Sequence, residues 1–269
     1  MTSSTMENKH ILPWNKFLKI ILPLITILAL WDAIAAWIHY EYSRTGASGN
    51  YFMPSVRETA SALIKIVTSG KFWGVLFTAF FMVISGLILG IIFGVIIATI
   101  CHKYEIVNTI LSPIISIMKA TPVACIIVLL WIRLNYTEIA IFVVVLMVMP
   151  IVWQNVYDAF NSIDKDLIEV ADVFKLDKIQ RLKALVIPTV LSYLLPATIT
   201  AIGLAWKAEI ATEIMTGSNI GKLIYNFKTV SLDTASIFAW TAIIVTFSII
   251  FEKTAKYFLG RLANEFKNQ

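Results

Sequence analysis

The feature that most constrains this chain is a series of apolar runs about as long as a bilayer is thick. Five stand out, at 17–38, 72–100, 139–156, 185–206 and 237–258, each close to the roughly 20 residues a helix needs to cross the hydrocarbon core. A sixth, 107–132, is interrupted by Pro113, Lys119 and Pro122. Proline-broken backbone is tolerated at that depth where it faces protein or a water-filled cavity, so this run is read as a span that lines something. Charged residues make up only 14% of the 269 residues, too few to cover a soluble domain of this length. The chain therefore reads as an all-α integral membrane protein with six transmembrane helices.

The polar N-terminus lacks a small-residue cleavage site, and the first run is too long for a signal-peptide core, so it reads as a retained span. Six crossings bring both termini to one side. With that side cytoplasmic, thirteen of the 22 Lys and Arg residues lie inside, eight outside and Lys119 within a span. The basic cluster at 175–183 dominates this positive-inside bias. The net charge of +5 then follows from topology and calls for no nucleic-acid partner. The expected organisation is a segment 1–71 (N-terminal stretch, first span, external helix), a transmembrane domain 72–260 with a cytoplasmic loop at 158–184, and a tail at 261–269. In the external segment Ser55 is placed to cap a helix whose Val56, Thr59, Leu63, Ile66 and Val67 share a face. That helix suits either the membrane surface or a solvent-capped loop.

The loop between the fourth and fifth spans, Glu169 to Pro188, is too polar to cross and too patterned for slack linker. Val170, Val173 and Phe174 form an apolar ridge at helical spacing, followed by a charged turn and a second helix entering the membrane. A short helix–turn–helix at a membrane face is suited to docking in a partner's groove.

These residues resemble the EAA loop of binding-protein-dependent ABC permeases, whose pattern is E-A-A, three residues, G, nine residues, I-x-L-P. Glu169, Ala171 and Pro188 stand at matching offsets, with Leu185 and Ile187 at the aliphatic positions. Val170 replaces an alanine, and Lys175 replaces the glycine whose left-handed backbone costs little; Lys175 must take another turn there, or strain. Further elements are similar to the nitrate/sulfonate/taurine permease group. They are Phe52-Met53-Pro54-Ser55, the small residues Gly86, Gly90 and Gly94, Thr121-Pro122-Val123-Ala124, and Gly203 to Glu213 against G-L-x-W-K-x-x-V-A-A-E. The likeness covers about residues 50–260.

The resemblance implies a type I importer permease, working as a homodimer with two ABC ATPase subunits and an external solute-binding protein. It implies a transport subunit rather than an enzyme, multi-pass in the cytoplasmic membrane among its lipids, with ATP and Mg held on the partner ATPase and no cofactor or metal on this chain. Glu169, Val170, Ala171, Asp172, Phe174, Lys175 and Asp177 would form the ATPase-coupling surface. The solute would be a small anionic or aromatic compound such as a sulfonate, nitrate or vitamin precursor.

Other residues keep two readings. Lys119, beside Thr121 and Pro122, is either a cation in the translocation path or a lysine reaching the cytoplasmic interface or a fixed carboxylate. Trp206, Lys207, Glu209 and Glu213, at the end of the fifth span, form an outer gate or receptor contact, or mark the interface. Gly86, Gly90 and Gly94 put small residues on one face for helix packing, within the chain or between subunits. Asp32 is structural or interfacial. Cys101 and Cys125 read as buried thiols, and His10, His39 and His102 form no ligand cluster. The stretch from Gly217 to Leu223 fails the phosphate-loop pattern. An ion-gradient transporter or channel would favour a buried acid pair, and none is expected here. A membrane scaffold would explain the hydrophobicity but not the ordered elements.

Overall fold

The computed structural model describes residues 13–44 and 52–267; His10 and the first twelve residues lie outside them. The described residues are helical, with no strand. The long helices are α1 (Pro13–Ser43), α3 (Phe72–Lys103), α6 (Tyr136–Asn161), α9 (Ile187–Thr216) and α11 (Thr234–Lys267), each with an apolar segment long enough to cross a membrane. Between them lie α2 (Val56–Val67), α4 (Glu105–Ala120), α5 (Val123–Trp131), α7 (Lys165–Val173), α8 (Lys178–Arg181) and α10 (Asn219–Thr229).

The core is a seam between α3 and α6. A β-carbon at Gly86 would lie 2.5 Å from Val144 Cβ, one at Gly90 2.7 Å from Val148 Cβ, and one at Gly94 2.7 Å from Val152 Cβ. Only hydrogen fits at these positions, and the valines opposite are fully buried. The small-residue face is thus used inside the chain, by close backbone approach. Both residue numbers rise together along the seam, so α3 and α6 run parallel.

That parallel register decides the topology. The chain leaves α3 at Lys103 and must return about 35 Å, at 1.5 Å per residue, to begin α6 at Tyr136. Only α4 and α5 are available for the return, so together they make one crossing. They are not one straight span: the axes turn by 93° at Thr121-Pro122, because a residue before proline is driven out of helical conformation and Thr121 is extended (ψ 127°). Tyr136 at the start of α6 meets Glu213 near the end of α9, so those helices are antiparallel. Phe72 packs on Trp240 and Phe80 on Phe251, which aligns α11 with α3.

Six crossings result, and α1, α3, α5, α6, α9 and α11 alternate in direction. The start of α1 and the end of α11 therefore share the end of the molecule that carries α7 and α8. α11 continues helical to Lys267, through most of the stretch assigned to a tail. Among the described residues, the side-chain ties of α1 to the rest of the chain start at Trp31. Trp31 Nε1 donates to the Pro54 carbonyl (2.9 Å), and Asp32 Oδ1 accepts from Val56 N–H (2.8 Å), capping α2. Asp32 thus has a structural use. The expected cap at Ser55 is formed, as a box with Glu58, and α2 packs on α11 with Thr59, Ala62 and Ile66 buried.

Gly90→Leu should lower stability by about 1–3 kcal/mol through overpacking, read as thermal unfolding of the purified chain in detergent. Gly74→Leu on the same helix, where a β-carbon meets nothing within 4 Å, should leave the midpoint unchanged.

Candidate coupling and pathway sites

The loop helix α7 starts at Asp164, whose side chain accepts from Asp166 N–H (3.0 Å). It ends in a complete Schellman motif: Leu176 N–H reaches the Ala171 carbonyl and Lys175 N–H the Asp172 carbonyl, each at 3.0 Å. The left-handed position of that motif is Lys175, with φ of +50°. Lys175 therefore takes the same turn a glycine would, not a different one, at a backbone cost of about 1 kcal/mol. Asp177 then caps α8 in a box with Gln180.

Arg181 closes the loop. Its guanidinium pairs with Asp172 and its Nε donates to the Leu176 carbonyl (3.0 Å), tying α8 back onto α7. Both side chains are partly exposed, so this pair sets geometry more than stability. Sequence reading missed Arg181, because a pairing nine residues apart across a turn leaves no helical-spacing signal. A π-helical turn, Leu182–Val186, then joins α8 to α9 without a break, Ile187 N–H bonding to the Leu182 carbonyl. Such a turn accommodates Pro188, which has no N–H for an ordinary helical bond.

The loop's outward face is apolar although the segment is polar overall. Val170, Val173 and Phe174 are exposed, the last two at 79% and 74%, with Ile179 and Leu182 exposed nearby. Ala171 differs from the expected surface residue, being 1% exposed and turned inward. Glu169, Asp172 and Asp177 are exposed.

At the α4–α5 bend, Lys119 Nζ donates to Gln154 Oε1 (3.3 Å), and Gln154 Nε2 donates to the Asp158 carboxylate (3.0 Å). The cation thus reaches a fixed carboxylate on α6 through one amide, and its Nζ lies 5.9 Å from the Trp153 ring centre. Thr121 and Pro122 are the break itself.

The far end of α9 overturns two expectations. The helix runs ten residues past Trp206, to Thr216, so Lys207, Glu209 and Glu213 do not terminate it. Lys207 is exposed and Trp206 buried, but Glu209 and Glu213, one helical turn apart on one face of α9, are both 0% exposed. A buried acid pair is present after all. Glu213 is fully engaged: it accepts from Tyr136 Oη (2.9 Å), Asn219 Nδ2 (2.5 Å) and Ile220 N–H (3.0 Å), and Asn219 also donates to the Val75 carbonyl (2.9 Å). This one carboxylate joins α6, α9 and α10 directly, and α3 through Asn219. A β-carbon at Gly221 would overlap the Glu213 carbonyl, so α10 sits directly on the α9 backbone. Neither Glu209 oxygen has a donor.

A family model described as binding-protein-dependent transport system inner membrane component matches residues 86–263. The chain belongs to this family. The seam, the loop and the α9 end all lie within the match. The chain is similar to an aliphatic sulfonates transport permease protein, SsuC, of Bacillus subtilis (strain 168), 22% identical over 246 residues, covering 91% of this chain and 84% of that protein. Its fold is similar to that of a crystallised amino acid ABC transporter, with TM-score 0.56, 14% identity, and 71% of this chain and 91% of that one covered. It is also similar to the MetNI methionine ABC transporter in an inward-facing form, with TM-score 0.52, 16% identity, and 76% and 97% covered. The protein is a multi-pass cell-membrane permease subunit of an ABC importer, a transport subunit whose family works with separate ATPase and binding-protein partners.

Lys175→Gly should stabilise the loop by about 0.5–1 kcal/mol by relieving the positive φ. Slower exchange of the Lys175 and Leu176 amide hydrogens would register it, and faster exchange would contradict the assigned turn.

Proposed function

We propose that α7 and α8 form the cytoplasmic surface on which the ATPase subunits dock, with Val170, Val173 and Phe174 inserted in the partner and Glu169, Asp172, Lys175 and Asp177 around them. One observation carries this reading: large apolar side chains stand exposed on a charged loop outside the bilayer, where water penalises them unless a partner covers them. Ala171 acts from beneath, letting the loop fold tightly. ATP and Mg belong to the partner, and two copies of the permease enclose the path.

The route for motion is α8, the π-helical turn and α9, a continuous rod from the docking surface to the Glu209–Glu213 end. A push on α8 moves α9 as a unit, and α9 packs along α6. That is a shear-type transition between two packings, with the driving difference in free energy supplied by the ATPases.

The solute we assign is a small organic anion of the sulfonate type. The similarity to an aliphatic sulfonates permease supports this, as does a lysine at the α4–α5 break, since irregular backbone at membrane depth is tolerated where it meets protein or a water-filled path.

Phe174→Asp should reduce copurification of the ATPase about tenfold or more with membrane insertion unchanged. Intact copurification and intact transport would sink the docking assignment. Lys119→Met should lower solute uptake while leaving the ATPase bound. Equal uptake by the variant would remove Lys119 from the path and leave it a packing residue beside Gln154.

A further inference from the structure

We propose that Glu209 and Glu213 together bind one monovalent cation, a proton or an alkali-metal ion, at the end of the permease opposite the ATPase-docking loop. The inference is independent of the docking assignment.

The two carboxyl groups sit one helical turn apart on one face of α9, both buried inside the protein. Their surroundings are unequal. Glu213 is held by three neutral donors from α6 and α10, so its charge is spread over Tyr136, Asn219 and the first turn of α10, where a helix N-terminus also favours an anion. Glu209 has nothing: both oxygens are buried and neither meets a donor. No salt bridge joins either residue to a lysine or arginine among the described residues. The titratable groups facing Glu209 are Glu213 from its own helix and Tyr136 from α6. From α10 and α3 the cluster receives Asn219 and the Val75 carbonyl.

Two like charges one turn apart, away from water, are each other's worst neighbour, and one positive charge between them removes the conflict. The stoichiometry follows from the donors. Glu213 is already satisfied as an anion, so a single charge completes the pair. A divalent ion would bring a second positive charge with no carboxylate left to meet it, and the described residues contain no group of three or more His, Cys, Asp or Glu side chains that could hold a metal ion. The position gives the cation a consequence. Glu213 is the joint between α3, α6, α9 and α10, and repulsion from an uncompensated Glu209 pushes on that joint. Filling the site stabilises the packed arrangement of this end, so the free energy of opening becomes linked to the cation.

The test follows thermal unfolding of the purified full-length chain in detergent. One series varies sodium chloride against choline chloride at fixed pH, and a second varies pH in choline chloride. In wild type the midpoint should rise by about 3 °C for each tenfold increase of the bound cation, along the pH series if it is a proton and along the sodium series if it is sodium. Glu209→Gln, which removes one charge and adds a donor, should abolish that slope and melt no lower than wild type in the cation-poor condition. Glu209→Met, apolar and of similar length, should abolish the slope as well, whatever its absolute midpoint. A wild-type midpoint flat in both series, or a slope of equal size in both variants, would overturn the proposal.

Discussion

The fold depends on a contact in which three glycines of α3 meet three valines of α6 with no room for a side chain between them. Because lipid is as apolar as the protein interior, helices in a bilayer gain little from hiding hydrophobic surface from one another. Close packing must supply the association instead. The Gly86, Gly90 and Gly94 ladder supplies it and also sets direction, since a ladder of rising numbers on both helices can only be parallel. From that one register comes the crossing by α4 and α5; with the Tyr136–Glu213 contact and the α3–α11 ring contacts it places both helical ends of the described chain beside α7 and α8.

How much of this was legible in the sequence depended on the physics behind each feature. The spans were readable because hydrocarbon thickness fixes a length, and Pro122 was readable as a break because proline excludes helical backbone before it. The 93° turn was not, since hydropathy averages over direction. Lys175 shows the reverse case. Its residue type argued against a left-handed turn, yet the Schellman hydrogen bonds and the Arg181 tie hold it there. Tertiary constraint outweighs about 1 kcal/mol of local preference.

The α9 end failed for another reason. Lys207, Glu209 and Glu213 lower the hydropathy, so the span seemed to stop at Trp206. Yet Ala205, Ala208, Ile210 and Thr212 continue a buried face, and a burial-oriented reading of that face would have carried the helix onward and put both glutamates inside it. α10 was also overlooked, although Ile220, Leu223, Ile224 and Phe227 recur at helical spacing. An exposed apolar ridge on α7 thus lies beside the start of the α8–α9 rod, and a pair of buried carboxyls lies near its finish.

The measurement that bears most directly on this account is which side of the membrane each end faces. In a background with Cys101→Ala and Cys125→Ala, single cysteines at Lys175, Gly260 and Tyr225 would be probed in intact cells with a membrane-impermeant maleimide. The account predicts labelling of the Tyr225→Cys variant from outside, and of Lys175→Cys and Gly260→Cys only after the membrane is opened. Labelling of Lys175→Cys and Gly260→Cys from opposite sides, or of Lys175→Cys and Tyr225→Cys from the same side, would contradict the parallel seam and the topology built on it.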